Sequence, residues 1–310
     1  MKGAALETPV ALLIFNRPDT TQQVFDAIAQ ARPSRLLVVA DGPRHNRPGE
    51  AEKVEATRAV IEQVDWTCEV TTNFADDNLG CKRRVSSGLD WVFSTVGEAI
   101  ILEDDCLPDS SFFSFCEELL DRYRDDLRIS QIDGVNFQRG CRLNDDSYYL
   151  SKYSYVWGWA SWANRWRGTF DASLGRWPEI RDSGRAGDLV GDESEADHWT
   201  RVFDSVHRGE IDTWDYQWFH ACMAAGRSSI VPNVNLVSNI GFRPDATHTV
   251  QDAIAANMPT QPMLFPLRHP AEMFQSRQLD KRYFERFASV SLKRRVLNRI
   301  DRLMTRWSSV

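Results

Sequence analysis

Short apolar runs recur along the first third of the chain, and a helical pattern follows each of them. Val10–Phe15, Leu36–Ala40 and Ala99–Leu102 are apolar at every position, which is typical of strands that are buried on both faces. Strands that alternate with helices are joined by right-handed crossovers, and they form a parallel sheet covered by helices on both faces. The predicted fold class is therefore α/β.

Ligands of such sheets bind beyond the carboxyl ends of the strands, and a polar residue follows each predicted strand. These residues are Arg17, Asp41, Asn78 and the triplet Glu103-Asp104-Asp105. The glycine-rich motifs of dinucleotide dehydrogenases and of P-loop proteins do not occur at the first strand, which argues against both classes.

The acidic triplet is the strongest chemical signal in the sequence. Carboxylates crowded at the end of a buried strand raise the pKa of one another unless a cation neutralises them. Mg²⁺ or Mn²⁺ suits such oxygen ligands and completes its shell with water and phosphate oxygens. The alternative is a solvated acidic turn in which Asp105 caps the next helix.

Charge and cysteine content exclude several classes of function. The net charge of −7 argues against a surface that coats nucleic acid. The six cysteines form no C-x-x-C pair, so they predict neither a zinc site nor a disulfide framework but reduced thiols. The apolar run Val10–Phe15 is too short for a signal peptide or a membrane span, and we expect a cytoplasmic protein.

A resemblance adds to these observations. The stretch Ile100–Phe113, with Glu103-Asp104-Asp105, Pro108-Asp109 and Phe112-Phe113, resembles the acidic metal motif of GT-A glycosyltransferases of the N-acetylglucosaminyltransferase-I-like group. Other segments resemble that group in the same order, over roughly residues 9 to 248: Phe15–Pro18, Asp41, Asn78–Gly80, Trp157–Trp159, Trp214–Trp218 and Ile230–Gly241. The resemblance implies a GT-A-like Rossmann-type sheet, with a nucleotide-sugar half at residues 1–130, an acceptor half at 131–265 and a helical tail at 266–310.

The resemblance also implies roles for the residues at the strand ends. Asp105 would be the direct ligand of the metal, with Glu103 and Asp104 holding ribose or metal-bound water. Arg17 and Asp41 would contact the base and the ribose of the nucleotide, beside Asn78. Asp41 could instead be a turn residue of Asp-Gly-Pro, and Arg17 a solvated loop cation.

Lys82, Arg83 and Arg84 begin a predicted helix beside these segments. They would contact phosphate, or lie on a solvated face.

Inverting sugar transfer needs a carboxylate that accepts the proton of the acceptor hydroxyl. Asp215 is the first candidate for this base. Some relatives have two adjacent acids here, whereas Tyr216 follows Asp215, so Asp212 is the second candidate. An acid in the first turn of a helix is also ordinary helix stabilisation. His248 is a candidate second metal ligand, unless it is simply a loop histidine.

The chain has 11 tryptophans, and most of them lie in the half that follows the acidic triplet. Their flat faces could stack on sugar rings or pack in the core. Trp157, Trp159 and Trp214 are the predicted acceptor contacts. Residues 182–197, which are polar and acidic, predict a surface loop.

The segment 290–307 is basic and amphipathic. It predicts peripheral contact with the inner face of the membrane, or packing on its own domain or on a second copy of the chain.

Together these features predict a glycosyltransferase that uses Mn²⁺ or Mg²⁺ to move a sugar from a nucleotide-diphosphate sugar, a UDP-sugar first, to a glycan or lipid-linked acceptor. A nucleotidyltransferase and a binding protein without turnover are the alternatives.

Overall fold

The computed structural model describes residues 6–242 and 255–288. In the first half, strands and helices alternate as the apolar runs predict. Their bounds are β1 Val10–Ile14, α1 Pro18–Ala31, β2 Arg35–Ala40, α2 Glu50–Ala59, β3 Glu69–Phe74, α3 Cys81–Thr95, β4 Glu98–Glu103, β5 Cys106–Pro108, α4 Ser111–Arg122 and β6 Ile129–Asp133. A short 3-10 helix, Val60–Gln63, continues α2.

The second half contains shorter elements. They are β7 Tyr148–Ser151, β8 Trp159–Trp162, α5 Ala163–Trp166, α6 Trp177–Asp182, α7 Ala186–Val190, α8 Glu193–His207, α9 Asp215–Ala224, β9 Ser228–Pro232, β10 Val237–Asn239 and α10 Arg277–Tyr283. A π-helical turn, Phe284–Ala288, continues α10.

The prediction of a surface loop over residues 182–197 is wrong, because this stretch contains α7 and the start of α8. The acids that suggested a loop stabilise a helix start instead. Asp192 accepts a hydrogen bond from the backbone N–H of Ser194, and Glu193 and Glu195 lie in the first turn, where the helix dipole favours negative charge.

Eight strands form one sheet in the order β3-β2-β1-β4-β8-β6-β9-β7. The first four are mutually parallel. β8 runs antiparallel to both β4 and β6, β9 is parallel to β6, and β7 is antiparallel to β9. β5 and β10 form a separate antiparallel pair.

The sheet carries helices on both faces, as the side chains of β1 show. Val10, Leu12 and Ile14 belong to an apolar cluster that includes residues of α1 and α4. Ala11 and Leu13 belong to a second cluster, with residues of α3 and α9. The predicted α/β class with a mainly parallel sheet is therefore confirmed, and it agrees with the GT-A-like Rossmann-type architecture that the resemblance implies.

The chain between residues 255 and 288 returns to this sheet. The backbone N–H of Ser276 donates to the carbonyl of Leu150 in β7 at 2.7 Å, which places α10 beside the second half of the sheet. Within the described ranges, none of the helices combines the length and the apolar composition that crossing a bilayer requires.

Candidate active site

The acidic triplet lies where β4 ends and the turn to β5 begins. The backbone N–H of Phe15 donates to Oδ2 of Asp104 at 3.0 Å, and Nη1 of Arg17 lies 3.0 Å from Oδ2 of Asp105. The parallel pairing of β1 with β4 explains both contacts, because Leu13 is paired with Glu103 and the residues after each strand therefore meet. A third segment closes on the triplet, since a Cβ at Gly241 would lie 2.0 Å from Oδ2 of Asp105.

Burial and mutual repulsion act together on the triplet. Burial, and then the charges of Asp105, Asp104 and Asp215, raise the pKa of Glu103 well above its usual value. Burial, and then the charge of Asp105, raise the pKa of Asp104 to about 7. Burial also raises the pKa of Asp105, and the nearby Arg17 opposes that shift. Crowded buried carboxylates of this kind are stabilised by an added positive charge.

Asp41 links the loop that follows β2 to the loop that follows β3. Its Oδ1 accepts from the backbone N–H groups of Gly42 at 2.9 Å and Leu79 at 2.8 Å. Its Oδ2 accepts from the backbone N–H of Gly80 at 3.1 Å and from Nδ2 of Asn78 at 2.9 Å. Burial raises its pKa, and these N–H donors act in the opposite direction. Asp41 thus fixes the 78–80 segment, and its contact with a nucleotide remains a prediction.

Arg84 has a structural role near Asp41, whereas sequence analysis predicts a phosphate contact or a solvated cation. Its side chain is only 7% exposed. Its Nε donates to the carbonyl of Ala40 at 3.1 Å, and its Nη2 donates to Oδ1 of Asn73 at 2.7 Å. Arg84 therefore holds the carboxyl ends of β2 and β3 together. The signal was its place beside Val85, on the apolar side of an amphipathic helix.

The two candidate bases approach the same region from the loop before α9. A Cβ at Gly80 would lie 3.5 Å from Oδ2 of Asp212. The hydroxyl of Thr213 donates to Oδ1 of Asp215. Burial, and then the charges of Glu103, Asp215, Asp212 and Asp41, raise the pKa of the Cys81 thiol. The charges of all four carboxylates therefore act on the start of α3.

A cavity of about 960 Å³ connects these groups. Its walls include Arg17, Asp41, Asn78, Glu103, Asp104, Asp105, Asp212 and Asp215. We call this part of the cavity the acidic end. The loops after β1, β2, β3 and β4 contribute to it, as the rule for ligand sites of parallel sheets predicts.

The predicted acceptor tryptophans separate into two groups. Trp157 and Trp214 line the cavity, whereas Trp159 is fully buried and packs against Trp214, Trp166 and Trp218 at ring distances of 5.9 to 6.5 Å. The prediction that Trp159 contacts the acceptor is corrected accordingly. Trp159 lies on a strand between two others, so its side chain points into the core.

One other predicted site residue, Lys82, does not line the cavity, and two predictions fall on residues that the structure does not describe. Lys82 is partly exposed on α3 and is not among the residues that line the cavity. His248 and the basic segment 290–307 lie outside the described residues.

Comparisons with known proteins identify no family. No protein-family model and no curated protein matches the chain. A solved structure of UDP-glucose pyrophosphorylase with UDP-glucose is similar at 11% identity, with a TM-score of 0.26, over 48% of this chain and 64% of that one. The chain thus spans less than two thirds of that protein. Apo mouse xyloside xylosyltransferase 1 is similar at 10% identity, with a TM-score of 0.34, over 70% of this chain and 82% of that one. At TM-scores this low, neither similarity assigns a function.

Proposed function

We propose that this chain is a metal-dependent glycosyltransferase that moves a sugar, with inversion, from a UDP-sugar to a hydroxyl of a glycan or lipid-linked acceptor. One observation carries the proposal: a single cavity joins three crowded carboxylates at the end of β4 to a second pair of acids, Asp212 and Asp215. The first group suits a metal with a diphosphate. The second supplies a base.

The donor set fits a hard divalent cation. The triplet offers carboxylate oxygens, which Mn²⁺ and Mg²⁺ prefer. Within residues 6–242 and 255–288, no three His, Cys, Asp or Glu side chains are arranged to hold a metal by themselves. Asp105, the ligand that the resemblance implies, would hold the ion, with phosphate oxygens and water as the remaining ligands. When bound, the ion would stabilise the negative charge that develops on the departing diphosphate.

The chain's own residues position the donor. Arg17 and the Asp41-tied segment 78–80 border the acidic triplet, so a nucleotide placed there lies between a guanidinium and a rigid loop. Arg84 supports that loop from below through the ends of β2 and β3. Preorganisation of the loop in this way lowers the entropic cost of binding the nucleotide.

Asp215 acts as the base. Thr213 donates to Oδ1 of Asp215 and orients the carboxylate. The acceptor oxygen attacks the anomeric carbon while Asp215 takes its proton, and the bond from that carbon to the phosphate oxygen breaks. The nucleoside diphosphate leaves with the electron pair. Asp212, which lies in the loop before α9 and next to Gly80, is the alternative base.

A transfer assay tests the proposal. Purified protein is supplied with UDP-, dTDP- and GDP-sugars, Mn²⁺ and a panel of glycan acceptors, and nucleoside diphosphate release is measured. We expect release that EDTA abolishes, that Asp105→Asn and Asp215→Asn reduce by orders of magnitude, and that Asp121→Asn leaves unchanged. Asp121 is the matched control because it is an exposed acid on α4, with 77% of its side chain exposed. Pyrophosphate release from a nucleoside triphosphate, or binding without turnover, would contradict the proposal.

A further inference from the structure

The cavity has a second end, and its walls are aromatic. Six rings define this aromatic chamber: Phe137, Tyr155, Trp157, Phe242, Tyr283 and Phe287. In the wall of the chamber, the Phe137 ring packs against four of the others, with centroid distances of 4.9 Å to Tyr155, 5.2 Å to Trp157, 5.4 Å to Tyr283 and 5.1 Å to Phe287. The ring of Phe242 lies 5.5 Å from that of Trp157.

Two of the six rings come from the segment that sequence analysis assigned to a separate tail. Tyr283 ends α10, and Phe287 lies in the π-helical turn that follows. The segment is held firmly. The Asp280 carboxylate accepts from the hydroxyl of Ser151 at 2.5 Å and from the backbone N–H of Lys152 at 3.2 Å, and Nε2 of Gln138 donates to the carbonyl of Leu279 at 2.9 Å. These hydrogen bonds hold the segment that carries Tyr283 and Phe287 against β7 and the loops beside it.

The two ends of the cavity differ in charge. Arg17, Arg44 and Arg84 line the acidic end, whereas Arg286 is the basic residue that the π-helical turn contributes. Burial lowers the pKa of His198, which also lines the cavity, to about 4, so this imidazole is neutral at physiological pH. Asp212 and Asp215 belong to the acidic end, where they add negative charge. The described wall of the chamber is instead mainly aromatic, with Arg286 as the cation that the π-helical turn adds.

The shape and polarity of the aromatic side chains favour one class of ligand. Flat aromatic faces match the flat C–H faces of a pyranose, and tyrosine hydroxyls can pair with its hydroxyls. An alkyl or polyprenyl chain is matched instead by a long groove of aliphatic side chains. The chamber opens onto Asp215 through the shared cavity, where an acceptor hydroxyl must lie.

We propose that the aromatic chamber binds the acceptor as a pyranose, and that Tyr283 and Phe287 determine its selection. This inference rests on the proposed function. It makes the 277–288 segment part of the acceptor site.

Binding and turnover are measured separately. Saturation-transfer difference NMR is recorded with methyl pyranosides at millimolar concentration, without donor, on wild type, Tyr283→Ala and Phe287→Ala. We expect ring-proton signals in wild type, and an acceptor affinity reduced at least about tenfold in both variants. Phe284→Ala is the matched control, because Phe284 lies in the same turn but packs on His198; it should retain the signals. Phe287→Tyr keeps a ring and should also retain them.

The same variants are then compared in transfer assays. Tyr283→Ala and Phe287→Ala should raise the acceptor KM and leave the Mn²⁺-dependent thermal shift with UDP unchanged. Absence of signals from every methyl pyranoside would overturn the inference. Signals that neither variant changes, or preferential transfer to undecaprenyl phosphate, would also overturn it. Preferential transfer of that kind would leave the proposed function intact, whereas absence of turnover with every donor would contradict the proposed function itself.

Discussion

The guanidinium of Arg17 lies 3.0 Å from a carboxylate oxygen of Asp105, and each side chain is 16% exposed. Arg17 lies in the short loop between β1 and α1, and Asp105 lies just beyond β4. The parallel pairing of β1 with β4 brings these two residues together. The guanidinium thus supplies positive charge at the carboxylate that we propose as the metal ligand. A metal ion and Arg17 must compete for the same oxygen.

Removal of this competing cation should strengthen metal binding. For Arg17→Gln without nucleotide, we expect Mn²⁺ to bind about fivefold to tenfold more tightly than in wild type, as measured by electron paramagnetic resonance of free Mn²⁺. Arg17→Lys should lie between the two. Arg44→Gln is the control, because Arg44 lines the cavity but pairs with Glu50. Equal or weaker Mn²⁺ binding in Arg17→Gln would show that the pair does not occupy the metal position.

The Asp41 carboxylate should be needed for the shape of the nucleotide loop. In Asp41→Asn, an amide nitrogen replaces one accepting oxygen and faces the N–H donors of Gly42 and Leu79, or those of Gly80 and Asn78. We expect a loss of about 1–3 kcal/mol in the free energy of unfolding, together with weaker UDP binding. Asp77→Asn is the control, because the Asp77 side chain is 72% exposed. Unfolding by urea and UDP titration check the two effects, and an Asp41→Asn protein as stable as wild type would contradict this role.

Trp159 and Trp157 should affect different properties. Trp159→Ala removes a fully buried indole and should cost about 3–5 kcal/mol of stability. Trp157→Ala should cost about 1–2 kcal/mol but raise the acceptor KM. If Trp159→Ala does not fold, Trp159→Phe should show a smaller loss in the same direction. Urea unfolding of the variants is the measurement, and an unchanged midpoint for both Trp159 variants would contradict the core assignment.

His220 should contribute to acid sensitivity. Burial lowers its pKa from 6.5 to about 4 in the folded chain, and its ring packs against Phe203 and Trp177. Below pH 6.5 the unfolded state therefore binds a proton that the folded state does not. Stability should fall as the pH drops from about 6.5 to 4, by up to about 1.4 kcal/mol per pH unit for this one group.

His220→Phe keeps the packing and removes the titrating group. Between pH 4 and 6.5, the free energy of unfolding of the variant should change less steeply with pH, by up to the ~1.4 kcal/mol per pH unit that one bound proton contributes. Above pH 7 the variant and wild type should have the same slope. Urea unfolding at several pH values measures both slopes. If stability falls equally in wild type and in His220→Phe between pH 6.5 and 4, His220 does not contribute to the acid sensitivity.

The first half of the fold could be predicted from the sequence because its strands are apolar at every position. Runs such as Leu36–Ala40 have few alternatives to burial on both faces, and polar residues just beyond them must meet at one sheet edge. The triplet at 103–105 was found by that rule.

The second half was less predictable. A tryptophan count does not separate Trp159, which lies on an interior strand, from Trp157, which lines the cavity. Tertiary contacts such as that of Asp280 with Ser151 bring Tyr283 and Phe287 to the cavity. These contacts join residues far apart in sequence, so no local pattern indicates them. The charge of Arg84 predicted phosphate or solvent, whereas backbone carbonyls at two strand ends accept its hydrogen bonds in the interior.

Calorimetric titration of UDP with and without Mn²⁺, into wild type and Asp105→Asn, tests the central claim most directly. We expect Mn²⁺ to tighten UDP binding to wild type by at least about tenfold, a coupling of about 1.4 kcal/mol, and to have no such effect on Asp105→Asn. Equal UDP affinity of the two proteins in the presence of Mn²⁺ would contradict a metal-nucleotide site at Asp105.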